Sequence, residues 1–166
     1  MVILAKSHTQ EGIPVSANLL QLGFYKDFES MEQRLFLNFR VNDCARRLVV
    51  GRAFPLSQVD EHVEFTTSTV RELTGKDRAT TTEVLDAVRR VGELLPAEAG
   101  PAIRFQYAGH PDEKLVVAME PITIPETDAR VYVFYVIGEG DLHAYGAYPE
   151  CPWDGDEKFV YRVARK

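Results

Sequence analysis

The sequence predicts an α+β fold: one domain over residues 1–166, with an antiparallel or mixed sheet of five to seven strands and two helices packed on one face. Three observations predict it. From residue 101 onward, β-branched and aromatic runs alternate with short turn signals. Residues 80–100 carry the periodicity and both end signals of a helix. Finally, 166 residues that are 45% hydrophobic can bury about two-thirds of their unfolded surface in one core, and nothing in the chain reads as a long linker, a repeat or a low-complexity tract.

At the start of the chain, Met1–Lys6 allows a first strand, and SANLLQLGFY (16–25) fits helix and strand equally. KDFESMEQ reads as one or two helical turns. In EQRLFLNFRVN (32–42), Leu35, Leu37 and Phe39 alternate with Phe36 and Asn38, the pattern of a strand, and RRLVVGRAF (46–54) reads as another. SQVDEHVEFTTSTVRELTG (57–75) is expected to be a helix, with Ser57 and Asp60 at its start and Gly75 as its C-cap. The β-branched run Thr66, Thr67 and Thr69 weighs against that, because such side chains lose rotamer freedom in a helix. In residues 80–100, Thr80 and Glu83 form a capping box, Val84, Val88, Val91 and Leu95 repeat at helical spacing, and Pro96 and Gly100 supply the stop.

AIRFQYA, the turn GHPD and KLVVAME (102–120) read as a hairpin. PITIPETD follows, confined by Pro121 and Pro125 to an edge or a linking extended segment. In ARVYVFYVIG the stretch Val131 to Ile137 is apolar throughout and so predicts a central strand covered on both faces. The turn GEGD, the strand LHAYGAY, an acidic loop and the strand KFVYRVARK complete a predicted meander of four or five antiparallel strands, since connections this short make no parallel crossovers. In the last of these, Phe159, Tyr161 and Val163 share one face.

Charge narrows the function classes. Residues 1–108 carry 14 acids and 13 bases, whereas residues 109–157 carry 11 acids against Lys114 and Arg130, a net of −9 within an overall −6. Such a field disfavours nucleic acid and speeds encounter with a basic protein, although a solvated acidic face that only confers solubility is the simpler account. No apolar run is long enough for a membrane helix and the first residues lack a secretory leader pattern, so the expected location is the cytoplasm. There Cys44 and Cys151 are expected as free thiols.

The densest candidate site is PECPWDGDE (149–157). Cys151 with His143 as base and Asp154 as orienting carboxylate would be a nucleophile, but the surrounding carboxylates raise a thiol pKa and Pro152 removes a backbone donor. DGDE carries only a fragment of the alternation of a calcium loop. Trp153 has two readings of equal weight: an exposed anchor flanked by carboxylates, or a lid folded back over the core. Among the histidines, His8, His62, His110 and His143, only His62 has ligand-type company. Asp60, His62 and Glu64 would share one face of a strand as metal ligands, and fan out on the helix expected there. GEGD lacks the third glycine, helix and lysine of a phosphate cradle. Arg46/Arg47 and Arg89/Arg90 without interleaved aromatics read as ordinary surface charge.

These features lead to a non-enzymatic protein-binding module that recognises a partner protein with a basic surface. Its contact residues are Trp153, Glu150, Asp154, Asp156, Glu157 and Asp141, and it needs no cofactor or metal. Small inhibitors, immunity proteins and anti-defence proteins of bacteria and phages share this size and charge. The alternative is an enzyme or small-ligand protein with a pocket between sheet and helices that uses His143 and Tyr145 with Glu120 or Asp141 as acid and base. A self-assembling subunit is a third class.

Overall fold

The computed structural model describes residues 18–107, 113–124, 131–138 and 140–165. In chain order the elements are β1 (Asn18–Leu22), α1 (Phe28–Asn38), β2 (Arg40–Val41), α2 (Asp43–Val50), β3 (Glu61–Thr69), α3 (Val70–Thr74), β4 (Arg78–Thr80) and α4 (Thr81–Val91). There follow β5 (Gly92–Glu93), α5 (Ala99–Gln106), β6 (Lys114–Val117), β7 (Ile122–Thr123), β8 (Val131–Ile137), β9 (Asp141–Gly146), β10 (Pro152–Asp154) and β11 (Lys158–Val163).

Among the described residues nine strands make one sheet in the order β1-β3-β11-β6-β8-β9-β2, with β5 added to β11 and β7 to β8, and β10 pairs with β4 in a separate ribbon. The large sheet is mostly antiparallel, but β11 runs parallel to β6 and β2 parallel to β9. The strand count therefore exceeds the expected five to seven, and the described residues hold five helices rather than two.

The helices also lie on both faces. Phe134 of β8 packs under α5 so closely that a Cβ on Gly100 would sit 2.6 Å from its ring, and it meets Phe54 at 5.6 Å. Its neighbour Tyr135 must point to the opposite face. There it stacks on Trp153 of β10, which lies against the start of α4 through a 2.8 Å bond from its indole N–H to the Thr81 hydroxyl. β8 is accordingly buried from Tyr132 to Val136, as a strand covered on two sides should be.

Several local readings are corrected. Residues 57–75 are a strand followed by a single helical turn, because Val63 and Phe65 alternate inward against exposed His62 and Glu64, and β3 is paired on both sides by β1 and β11. The threonine run is the strand's own signature. The helix that does form, α3, starts at a second capping box, Thr69 with Glu72, and ends at Gly75 in the left-handed conformation at φ 73°. EQRLFLNFRVN is mostly helix: Met31 and Leu35 are fully buried one turn apart, Asp27 caps the start, and Leu37 is left 84% exposed. RRLVVGRAF is mostly α2, capped by Asn42.

Residues 102–106 lie in α5, so the first arm of the predicted hairpin is helical; β6 pairs instead with β8 and β11. α4 has the expected Thr80–Glu83 box but stops at Val91, where Gly92 begins the short β5. Strands β6, β8 and β9 do form an antiparallel meander, but β11 leaves it to insert between β3 and β6. SANLLQLGFY contributes β1, and PITIPETD the edge pairing of β7. Met1–Lys6, His8 and the GHPD turn with His110 lie outside the described residues.

Candidate functional site

The register of the β8–β9 pair sets the site. It places Tyr135 opposite His143, Val133 opposite Tyr145 and Ile137 opposite Asp141, so Asp141, His143, Tyr135 and Tyr145 share the face on which Trp153 lies. Leu142 and Ala144 point the other way and are fully buried.

On this face the side chains form a chain of contacts. The Tyr145 hydroxyl and His143 Nδ1 are 2.7 Å apart, His143 Nε2 lies 3.5 Å from Asp141 Oδ2, and Asp141 Oδ1 accepts from Arg40 Nε at 2.7 Å. The Tyr145 ring meets Tyr135 edge-on with centroids 4.6 Å apart. Tyr135 in turn contacts Trp153 at 5.7 Å, and Lys114 Nζ sits 5.2 Å over its ring. The same Nζ binds Glu157 at 2.7 Å. Burial pushes the Tyr135 hydroxyl well above the ordinary phenol range, with the Glu157 carboxylate adding to it, so Tyr135 stays protonated.

The predicted residues divide accordingly. Asp141, Glu157, Trp153, His143 and Tyr145 are drawn around Tyr135. Glu150, Asp154 and Asp156 are exposed and lie outside these contacts. Trp153 takes the second of its two readings, the lid: it is 4% exposed and packs on Phe159 at 5.0 Å. The loop is pinned down by its backbone, since the Gly155 N–H donates to Asp77 O at 2.7 Å and the Gly155 carbonyl accepts from Arg71 N at 2.9 Å. A Cβ at Gly155 would stand 2.9 Å from the end of the Arg71 side chain and 3.0 Å from the Asp77 carbonyl oxygen, so a larger residue would have to displace Arg71 and crowd that carbonyl.

The acidic field is also reduced by bases that arrive from elsewhere in the chain. Arg40 pairs with Asp141, Arg78 with Asp154 at 3.4 Å, Arg89 with Glu120 at 2.5 Å, and Lys158 with Glu113 at 3.5 Å. Position along the chain gave no sign of this neutralisation, because it is set by strand order. Arg40, Lys114 and Tyr135 are the site residues that sequence reasoning missed. The signal for Tyr135 was its hydroxyl inside an otherwise apolar run.

Cys151, His143 and Asp154 are not assembled as a triad: His143 is engaged by Tyr145 and Asp141, and Asp154 by Arg78. The strand at 61–69 puts His62 and Glu64 side by side in solvent, yet among the described residues no group of three His, Cys, Asp or Glu side chains is placed to hold a metal ion. Two neighbouring depressions, of about 500 and 330 Å³, lie elsewhere, the first lined by Gln21, Phe24, Arg34 and Gln58, the second by Lys26, Phe28, Arg52 and Leu56. Comparison with known protein families, curated proteins and solved structures finds no match.

Proposed function

We propose that the chain is a non-enzymatic protein-binding module whose contact surface is centred on Tyr145. One observation carries the reading: Tyr145 is 42% exposed, yet its hydroxyl is tied to His143 and its ring is seated on Tyr135. An exposed aromatic already fixed in one orientation loses little freedom on association, which is the property of an interface anchor. Asp141 and Arg40 beside it supply a polar rim, and the exposed carboxylates Glu150 and Asp156 act as steering charges around it. Trp153 lies on the same face, buried against Tyr135, instead of reaching out from the surface.

The test is capture from native extract on the immobilised full chain, followed by mass spectrometry, in parallel with Tyr145→Ala. A protein retained by the wild type is expected to bind the variant about 30-fold or more weakly, the size of a hot-spot loss, and to elute earlier as salt rises. A protein set that is identical for both chains at every salt concentration overturns the reading.

The Tyr145–His143–Asp141 contacts favour a second reading, in which the phenol and imidazole exchange a proton with a small ligand. Tyr145→Phe separates the two. It keeps the ring and removes the hydroxyl, so partner binding is expected to survive within a few-fold, whereas proton exchange is lost outright.

A further inference from the structure

Lysine and arginine side chains lie over six aromatic rings of the described residues, and one of those rings is Tyr135, with Lys114 Nζ 5.2 Å from its centroid. The attraction is that of a cation for the electron-rich face of a ring. Tyr145 has no cation over it among the described residues, although it is the more exposed of the two tyrosines. Its ring meets Tyr135 edge-on and His143 at 5.5 Å and 71°, and the rest of its surface faces solvent. The exposed carboxylates Glu150 and Asp156 favour the approach of a positive group to this end of the molecule.

Histidine is the side chain whose ordinary titration falls between pH 5 and 8, and a histidine touches this ring. The Asp141 carboxylate, which only accepts, faces His143 Nε2 at 3.5 Å and so favours the ring proton there. Nδ1 then carries a lone pair, and the Tyr145 hydroxyl donates to it at 2.7 Å. A phenol that donates its proton gains electron density in its ring, which strengthens its hold on a cation. When His143 takes up a second proton, Nδ1 becomes a donor and the hydroxyl must accept. The phenol proton turns to solvent, the ring loses that density, and an imidazolium stands beside it. All three changes oppose a cation on Tyr145.

The other charged or titratable groups around His143 are already committed. Arg40 is paired with Asp141, and Lys114 with Glu157. Tyr135, opposite His143, stays protonated, and Cys151 donates to the Gly146 carbonyl at 3.9 Å.

We propose that the partner group received by Tyr145 is a lysine or arginine cation laid on its ring, and that protonation of His143 releases it. The inference rests on the Tyr145 surface proposed above and adds to it the chemistry of the partner and the control of its affinity.

An acetylated and amidated hexa-arginine peptide is the probe, because arginine keeps its charge throughout this pH range. Its affinity for the full-length wild type, Tyr145→Ala and His143→Gln is measured by calorimetry at pH 8 and pH 5.5 in the same salt, and the His143 ring nitrogens of the wild type are read by NMR. At pH 8 a bare Nδ1 and a proton on Nε2 are expected, and at pH 5.5 protons on both. Peptide binding to the wild type should be about two- to fivefold weaker at the lower pH, the factor that an exposed cation–π contact carries. In His143→Gln, which is neutral at both pH values, the two affinities should agree. Tyr145→Ala should bind more weakly than the wild type at pH 8. A proton on Nδ1 at pH 8, a wild type whose binding ignores pH, or an equal fall in folded His143→Gln overturns the inference. Peptide binding left unchanged by Tyr145→Ala overturns it as well, since the cation then lies elsewhere, whereas the surface itself stands or falls on the captured protein.

Discussion

At the scale of the residue, Trp153 shows how a feature visible in sequence acquires its meaning only from packing. With its indole N–H on the Thr81 hydroxyl and its ring between Tyr135 and Phe159, Trp153→Ala should lower stability by about 3–5 kcal/mol in urea unfolding, the usual loss for a buried aromatic. Thr81→Val should cost about 1–3 kcal/mol, because it leaves the indole N–H buried without an acceptor. Arg52 offers the opposite case. It is the one described non-glycine residue at positive φ, 51°, directly after Gly51, so Arg52→Gly should raise stability by about 1 kcal/mol, measured the same way. The sequence marked Trp153 as important but could not orient it. Its burial rests on Thr81 and Tyr135, and the loop after it is tied by Gly155 to Arg71 and Asp77, contacts between segments far apart in the chain.

At the scale of the element, what was legible was local. The Thr80–Glu83 box, the Gly75 cap and the apolar run of β8 are each written within a few residues, and each is present in the fold. The elements misread were those whose pattern serves two periods. In residues 32–39, Leu35, Leu37 and Phe39 fit a strand, but Phe28, Met31 and Leu35 fit a helix, and burial of Met31 and Leu35 beside α2 and α5 decides for the helix. The Thr80–Glu83 capping box carries a pH signature. Lys76 and the Thr80 backbone N–H hold the Glu83 carboxyl below the usual range, as the Ser30 N–H does for Asp27 and Arg162 for Glu61. A depressed carboxyl stabilises the fold fully above its unfolded pKa, and that contribution is lost as pH falls through the lower folded value. Stability should therefore be flat near neutrality and fall below about pH 4.5. Glu83→Gln should lose less on acidification than the wild type in melts run from pH 6 to pH 3.

At the scale of the whole molecule, the block of carboxylates counted along the chain does not survive folding as a uniform field, because Arg40, Arg78 and Arg89 are carried onto it. These pairs are largely exposed, so Arg78→Ala should change stability by less than about 0.5 kcal/mol. The same variant leaves Asp154 uncompensated and should raise the on-rate for a basic partner at low salt, read by stopped-flow. Strand order was the least legible property of all, since it rests on contacts such as β11 with β3 that close most of the chain length. That placement also has a bearing on biosynthesis. The strand at 158–163 occupies an interior position between β3 and β6, so a ribosome must expose residue 163 before the two halves of the sheet have anything to join them. Until then the nascent chain presents the flanks of β3 and β6 as open ladders, and a trigger for premature aggregation or chaperone capture is built into the order of its translation.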